Sequence, residues 1–321
     1  MTHMAQVRNI AAGFALISIT LSIKALAATS VQKPAAIVEY PQRAPMLAAT
    51  HAGHRVIAVG DHGLILLSDD NGHAFRQARA VPTQALLDSV FFVDARLGWA
   101  AGHDGVILHS NDGGETWTLQ HEDIDGDHPL FAIRFLDAQR GFAVGLFGVA
   151  ARTEDGGQTW HRFRLQAEGD EDHHLYSIFG GDNGALFVAA EAGLIYRSGD
   201  AGITWRSIQT GNVGSFWTGV HLADSSLLVA GQSGHVFRSS DGGTSWTEIE
   251  SGTRQSLTDI EVRADGTVLI TGLAGVTLTS HDSGLHFELE QRSDRAPLTT
   301  AIVADDRVIL FGNEGVIDDL R

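Results

Sequence analysis

The chain has 321 residues, of which 43% are hydrophobic, and it carries 37 glycines but only 6 prolines. This composition supplies enough apolar side chains for a core and excludes a wholly disordered chain. There is no cysteine, so disulfides, thiolate metal sites and cysteine nucleophiles are excluded. The formal charge of −17 argues against a nucleic-acid partner, because an acidic surface repels the phosphate backbone.

The N-terminus carries the features of a secretory signal peptide over residues 1–27. Arg8 provides a positive start, residues 10–23 are uncharged and mostly apolar, and Ala25–Ala27 offers an A-x-A cleavage site. The apolar stretch is shorter than the ~20 residues that a membrane-spanning helix needs. We therefore predict export, cleavage after Ala27 and a soluble periplasmic protein. Lys24 follows the apolar stretch, and an uncleaved anchor is the alternative.

A repeated unit of four short strands accounts for most of the remaining chain. The clearest copy places apolar strands at Leu87–Val93, Gly98–Gly102 and Val106–His109, and a fourth strand starts at Trp117. Apolar runs that alternate or are β-branched, bounded by glycine turns, are typical of β-strands. The glycine that closes the second strand recurs in six units, and Ala190 replaces it in the fourth.

An eight-residue motif, S-x-D-x-G-x-T-W, follows the third strand of the units. Ser110–Trp117 and Ser239–Trp246 are its best copies, and six copies end in an aromatic residue at intervals of 41 to 45 residues. Four short strands in every ~40–45 residues are typical of a β-propeller. We predict that residues 28–321 form one all-β domain, a seven-bladed β-propeller of four-stranded antiparallel blades.

The seventh unit supplies only three strands, at Leu298–Val303, Val308–Gly312 and Val316–Leu320. A three-stranded blade would expose the edge of its sheet. The strand-like run Ala35–Tyr40 precedes the first unit and has no motif of its own. We therefore expect this N-terminal strand to complete the last blade and close the ring. An open ring, or six blades and a loose end, is the alternative.

The repeated motif is expected to hold a turn rather than to perform chemistry. A turn aspartate accepts backbone N–H bonds, glycine adopts positive φ without strain, and the closing tryptophan packs between neighbouring sheets. The residues to which we assign this structural role are Asp70, Asp112, Trp117, Asp155, Trp160, Asp200, Trp205, Asp241, Trp246 and Asp282.

The motif resembles the Asp-box (BNR) repeat of sialidases and other propellers. Its longer form, best seen in Gly231–Trp246, more specifically resembles the photosystem II stability/assembly factor family of cyanobacteria and chloroplasts. The resemblance covers nearly all of residues 35–321. It implies a non-catalytic binding or assembly propeller without a cofactor, whose client is a membrane-associated protein. Similar exported proteins of non-photosynthetic bacteria imply a transporter complex as another client.

The resemblance also implies a partner-binding face, because the family holds its client with arginines. The arginine before the motif recurs here as Arg152, Arg197 and Arg238, and the other three units with the motif lack it. These three residues are the predicted partner-binding residues. The alternative is that each arginine pairs with a nearby carboxylate or packs its aliphatic stem on a neighbour.

Two acidic links between predicted blades offer weak candidates for a metal site. The first resembles the start of a calcium loop but lacks the downstream glycine and glutamate of the EF-hand pattern, and the second ends in two histidines. The candidate ligands are Asp123, Asp125, Asp127, His173 and His174. Because clustered acids are common on solvated loops, we assign no metal site. A propeller that binds a cation or small ligand is kept as an alternative.

A sialidase-like glycoside hydrolase is the second alternative. It would need an arginine cluster, an acid, and a tyrosine nucleophile with its glutamate, and the chain has three tyrosines, Tyr40, Tyr176 and Tyr196. No nucleophile elbow, phosphate loop or HExxH motif occurs. We therefore predict that the protein is not an enzyme. The prediction is an exported monomeric scaffold for a membrane-associated protein or transporter complex, without insertion into the membrane.

Overall fold

The computed structural model describes residues 32–123, 128–165, 172–180, 184–305 and 307–317. These belong to one compact unit, Gln32–Arg321. The predicted signal peptide lies outside the described residues, as do Asp125 and Asp127. Within the described residues, no helix has both the length and the apolar character needed to cross a bilayer.

The described chain forms seven antiparallel sheets, and the strands of each sheet follow one another in sequence. The innermost strands are β1 (Met46–Ala52), β5 (Leu87–Phe92), β9 (Leu130–Phe135), β13 (Leu175–Gly180), β17 (Phe216–His221), β21 (Leu257–Val262) and β25 (Leu298–Ala304). The second strands are β2 (Arg55–Gly60), β6 (Gly98–Gly102), β10 (Gly141–Gly145), β14 (Leu186–Ala190), β18 (Leu227–Gly231), β22 (Val268–Gly272) and β26 (Arg307–Gly312).

Outside these lie the third and fourth strands. The third strands are β3 (Ile65–Ser68), β7 (Ile107–Ser110), β11 (Ala150–Thr153), β15 (Leu194–Ser198), β19 (Val236–Ser239), β23 (Val276–Ser280) and β27 (Gly315–Ile317). The fourth strands are β4 (Arg76–Gln77), β8 (Thr118–His121), β12 (His161–Phe163), β16 (Arg206–Gln209), β20 (Thr247–Ile249) and β24 (Glu288–Gln291). Short 3₁₀ helices occur at Pro41–Arg43, Asp61–Gly63, His103–Gly105, Leu146–Gly148, Glu191–Gly193, Gln232–Gly234 and Leu273–Gly275.

The sheets are arranged as blades around a closed ring. Each innermost strand contacts the innermost strands of both neighbouring sheets, and β25 of the last sheet contacts β1 of the first. The second strands lie between the inner and outer strands, and their side chains are almost all buried. The predicted seven-bladed propeller is confirmed.

The predicted closure by an N-terminal strand is not what the structure shows. Ala35–Tyr40 forms no strand, and it lies beside the first blade rather than the last. The backbone N–H of Ala35 donates to the carbonyl of Val81 (2.9 Å), and the Gln77 side-chain amide donates to the carbonyl of Ala36 (2.8 Å). These partners pair the segment with the first blade, and the last blade has three strands among the described residues.

The ring closes through contacts between the faces of the first and last blades. The Thr299 hydroxyl donates to the carbonyl of Met46 (2.5 Å), and Nε2 of His51 lies 2.8 Å from the carbonyl of Val303. A buried apolar cluster joins the same two blades and contains Met46, Val56, Ala58, Leu66, Ile302, Ile309 and Phe311. The first and last blades are therefore joined by buried apolar side chains and two polar contacts, without an N-terminal strand in the last blade of the described chain.

The glycine that ends six of the seven second strands allows a close approach of two backbones. A Cβ added to Gly102 would lie 2.0 Å from the carbonyl oxygen of Leu86. That same carbonyl accepts the N–H of His103 (2.9 Å), which starts the turn to the third strand. The recurring glycine is explained by this contact, which positions the turn that follows.

Candidate functional site

The blades place two kinds of turn on opposite faces. We call the face with the motif turns the box face; its box turns are Ser68–Phe75, Ser110–Trp117, Thr153–Trp160, Ser198–Trp205, Ser239–Trp246 and Ser280–Phe287. The opposite face carries the 3₁₀ turns between second and third strands together with the links between blades, and we call it the link face. Any partner that approaches along the axis meets one of these two faces.

The aspartates of the box turns are held by the turns themselves. The Asp112 carboxylate accepts the backbone N–H of Thr116 (2.9 Å) and its hydroxyl (2.6 Å), while the Ser110 hydroxyl accepts the N–H of Gly114 (2.9 Å). Both backbone bonds recur in all six box turns. Hydrogen bonds from Thr159 and Thr204 lower the pKa of Asp155 and of Asp200 to about 2. These carboxylates act as hydrogen-bond acceptors within the turn.

The three predicted partner-binding arginines lie on third strands, next to the box turns. Nε of Arg197 donates to the carbonyl of Gly242 (2.8 Å), and Nε of Arg238 donates to the carbonyl of Ser283 (2.9 Å). Each carbonyl belongs to the box turn of the following blade. The guanidinium of Arg152 lies 5.9 Å from the centre of the Phe163 ring. These contacts join structural elements, and the proposed role in partner binding stays a prediction.

The described candidates for a metal site are engaged with other groups. The Asp123 carboxylate contacts Nη2 of Arg162 and Nδ1 of His128 (3.0 Å). Nδ1 of His174 accepts the backbone N–H of Phe147 (3.0 Å), and His173 is half-buried. Among the described residues, no three His, Cys, Asp or Glu side chains are grouped to hold a metal ion.

A ring of bulged residues lines the inner wall of the propeller near the link face. In all seven described inner strands the pairing register shifts around the second residue. The residue before each bulge is fully buried, whereas the bulged residue is partly exposed. A β-bulge re-aims one side chain out of the regular ladder. The bulge ring consists of Leu47, Asp88, Phe131, Tyr176, Trp217, Thr258 and Thr299.

Three consecutive members of the bulge ring are aromatic. Phe131 and Tyr176 stack across two blades, with ring centroids 5.7 Å apart and planes at 11°. Tyr176 and Trp217 occupy equivalent bulge positions in β13 and β17, and these two strands contact each other. The aromatic arc of Phe131, Tyr176 and Trp217 therefore spans blades three to five.

The arc continues outward over the link face through two more rings. The His174 ring lies 6.1 Å from the ring of Tyr176, and the Phe147 ring lies 4.9 Å from His174 in an edge-on arrangement. Phe147 is 58% exposed and has left-handed backbone angles of φ 51° and ψ 41°. A bulky side chain rarely adopts that conformation, because its Cβ crowds the backbone. The strained, exposed Phe147 is the outermost member of this aromatic path.

Asp88 is the acidic member of the bulge ring. Its Oδ2 atom is buried and has no hydrogen-bond partner among the described residues. Nε2 of His103 lies 3.7 Å away, beyond hydrogen-bonding distance. Burial raises the pKa of Asp88 to about 7. The carboxyl group thus stands beside the aromatic arc with an unused acceptor atom.

Sequence reasoning did not identify this site. Tyr176 is predicted from the sequence only as one of three tyrosines that a sialidase could use, and Asp88 only as part of the strand Leu87–Val93. No sequence motif includes Phe131, Trp217 or Phe147. The bulge ring could be found in the sequence by position, because each bulged residue directly follows the first buried residue of an inner strand. At that position the side chains change from blade to blade while the surrounding repeat stays constant.

The fold defines a seven-bladed β-propeller with repeated box turns on one face and an aromatic arc near the other. The family described as photosynthesis system II assembly factor YCF48 matches residues 77–220. The predicted resemblance to this family is confirmed over that range. No curated protein matches the chain.

Solved structures share the fold at low sequence identity. A structure of YCF48 bound to a D1 peptide is 19% identical, with a TM-score of 0.70, and covers 89% of this chain and 98% of that one. YCF48 from Cyanidioschyzon merolae is 18% identical, with a TM-score of 0.56, and covers 75% and 86%. The extracellular domain of a proposed hybrid two-component system from B. thetaiotaomicron is 8% identical, with a TM-score of 0.67, and covers 85% and 39%.

Proposed function

We propose that the chain is an exported, non-catalytic propeller that binds and helps to assemble a membrane-associated protein complex. The observation that carries the proposal is the continuous aromatic path from Phe147 through His174 and Tyr176 to Phe131 on the link face. Its support comes from the family match over residues 77–220 and from a similar structure that holds a D1 peptide.

Aromatic side chains suit a protein-binding surface for a physical reason. They bury a large area with little loss of side-chain freedom, and they are enriched in the centre of protein interfaces. Phe147 remains 58% exposed at a strained backbone position, and the equivalent turn of the next blade has the smaller Ala192 there. A binding role accounts for keeping it there.

Cross-linked capture from membranes of the source organism tests whether a membrane protein complex binds and which face it uses. The bait proteins are the wild type, Phe147→Asn on the link face and Ile203→Asn on the box face. Ile203 is the matched control, since it is 72% exposed and lies in a box turn. We expect the same membrane protein complex with the wild type and Ile203→Asn, and at least a tenfold lower yield with Phe147→Asn. Equal yields from all three baits would contradict the site.

The arginine prediction and the enzyme alternative are tested with the same proteins. Replacing Arg152, Arg197 and Arg238 by glutamine should leave capture unchanged if the client uses the link face, whereas a loss would move the client to the box face. Turnover of aryl glycosides or sialosides by the wild type would favour a glycoside hydrolase and contradict a non-catalytic role.

The proposed export rests on the signal features of residues 1–27. Cell fractionation followed by N-terminal sequencing is expected to recover the protein from the periplasm with Ala28 as its first residue. An intact N-terminus in the membrane fraction would support the uncleaved anchor instead.

A further inference from the structure

We propose that the bulge ring binds a cationic side chain, an arginine or lysine of the client, between Asp88 and the aromatic arc. The inference deepens the proposed function, since it rests on a protein client and names the group that enters the mouth of the propeller. It follows from three observations: the partners of the other ring members, the unused oxygen of Asp88, and a cation–aromatic contact elsewhere in the same strands.

The polar members of the bulge ring differ in whether their hydrogen bonds are satisfied. The Thr258 hydroxyl donates to the carbonyl of Leu298 (3.0 Å), and the Thr299 hydroxyl donates to the carbonyl of Met46 (2.5 Å). Both threonines therefore tie neighbouring blades together. Oδ2 of Asp88 has no such bond in the described part of the chain. This oxygen is therefore a buried acceptor of the bulge ring that a ligand could use.

An unpaired buried carboxylate is costly, and a cation is the partner that removes the cost. Burial of a charged group without a hydrogen bond or counter-charge is unfavourable, whereas an ammonium or guanidinium group would supply both. His103 stands 3.7 Å from Oδ2, close enough to border the site but too far to occupy its lone pairs. The next blade presents Phe131 at the equivalent bulge position, and one face of its ring stacks on Tyr176.

The same two inner strands already contain a cation over an aromatic ring at their other ends. The Arg134 guanidinium of β9 lies 5.3 Å from the centre of the Phe91 ring of β5. Toward the link face, the corresponding positions in β5 and β9 hold Asp88 and Phe131. Here the chain supplies the carboxylate and the ring, and in the described residues Asp88 pairs with no arginine or lysine, while His103 lies 3.7 Å from its Oδ2. A carboxylate beside an aromatic face is a favourable environment for a cation from a partner.

The charge of the whole chain favours such a partner. The formal charge is −17, so a basic segment is attracted during approach, and an acidic one is repelled. The arc of three aromatic residues would contact the aliphatic stem of an arginine or lysine, while Asp88 pairs with its charged end.

The test uses a defined probe in place of the client. The probe is the capped peptide Gly-Gly-Arg-Gly-Gly, and its neutral partner carries citrulline in place of arginine. Binding is followed by NMR through the indole N–H of Trp217, a member of the bulge ring, and of the buried Trp117, which reports on folding. We expect the arginine peptide to shift the Trp217 signal and to bind about tenfold more tightly than the citrulline peptide.

Two variants test whether binding of the arginine peptide depends on the bulge ring. Asp88→Asn preserves the shape of the side chain. It should reduce the affinity for the arginine peptide to the affinity for the citrulline peptide. Asp61→Asn is the matched control on the same face, because Asp61 pairs with the neighbouring His62 (2.8 Å) outside the ring. Equal affinities of the two peptides, or an unchanged affinity in Asp88→Asn, would overturn the inference. So would an equal loss in both variants.

The test also separates this inference from the proposed function. Binding of the arginine peptide with no captured complex would leave the ring assignment standing and refute the assembly role. Capture that depends on Phe147 but not on Asp88, with no preference for arginine, would retain the assembly role and refute the cation site.

Discussion

The two faces of the propeller differ in what their turns share. The six box turns repeat both their side chains and their hydrogen bonds, from the serine or threonine at the start to the aromatic residue at the end. In the described chain, the six 3₁₀ turns that join second to third strands share a left-handed middle residue and a closing glycine, but the middle side chain changes from turn to turn. Those middle residues are His62, Asp104, Phe147, Ala192, Ser233 and Ala274. A repeated side chain therefore marks a structural joint, whereas a repeated backbone with changing side chains is where a site can differ between blades.

The largest expected effect comes from a repeated box residue. Trp117 is 4% exposed, its indole donates to the carbonyl of Gly114 (2.9 Å), and it packs edge-on against Phe92. Trp117→Ala should lower the free energy of unfolding by about 3–5 kcal/mol. The measurement is urea unfolding followed by circular dichroism. Trp217→Ala on the link face is the comparison, and it should cost clearly less because Trp217 is partly exposed. Equal losses would break the distinction between the faces.

A second prediction concerns the glycine that positions the link-face turns. In Gly102→Ala the new Cβ would lie 2.0 Å from the carbonyl of Leu86, so the backbone must move. We expect a loss of about 1–3 kcal/mol in the same unfolding assay. Blade four already has Ala190 at this position, with φ −138°. Ala190→Gly should therefore change stability by less than about 1 kcal/mol. If Gly102→Ala does not lower the free energy of unfolding, the close approach of the two backbones at Gly102 and Leu86 is not required.

The same distinction explains how much could be predicted from the sequence. The period and the turn motif are local patterns, so they identify the blades, and the predicted strand Gly98–Gly102 coincides with β6. Where Ala35–Tyr40 lies depends instead on contacts with Gln77 and Val81, about 40 residues away, and no local pattern determines them. The bulge ring depends on the pairing register of two strands. Its residues are readable in the sequence, but their common position is visible only once that register is known.

A third prediction uses acids on inner strands. Box carboxylates have lowered pKa values, whereas burial next to Asp259 raises the pKa of Glu261 to about 7. An acid with a raised pKa binds its proton more tightly in the folded state, so stability falls as pH rises from the ordinary value to about 7. Glu261→Gln cannot ionise and can still accept the N–H of Val303, which lies 3.3 Å from Glu261. Relative to the wild type, it should gain about 1–3 kcal/mol between pH 5 and pH 8.

The pH dependence has a matched control in the same blade. Urea unfolding of the wild type, Glu261→Gln and Glu290→Gln at pH 5 and pH 8 isolates the contribution of burial, since Glu290 is exposed on the fourth strand. The gain should appear in Glu261→Gln and not in Glu290→Gln. If both variants gain equally, the effect is one of net charge rather than of the buried position.

The smallest expected effect distinguishes a residue kept for binding from one kept for the fold. Phe147 is left-handed at φ 51°, and asparagine adopts this conformation more readily than phenylalanine. Phe147→Asn loses the contact with His174 but relieves this strain, so the free energy of unfolding should stay equal or rise by up to about 1 kcal/mol. Ala192→Asn, at the equivalent turn of the next blade, is the control. It measures how asparagine at this left-handed position changes the free energy of unfolding. If Phe147→Asn instead loses more than about 1 kcal/mol, Phe147 supports the fold, and its exposure no longer argues for a binding role.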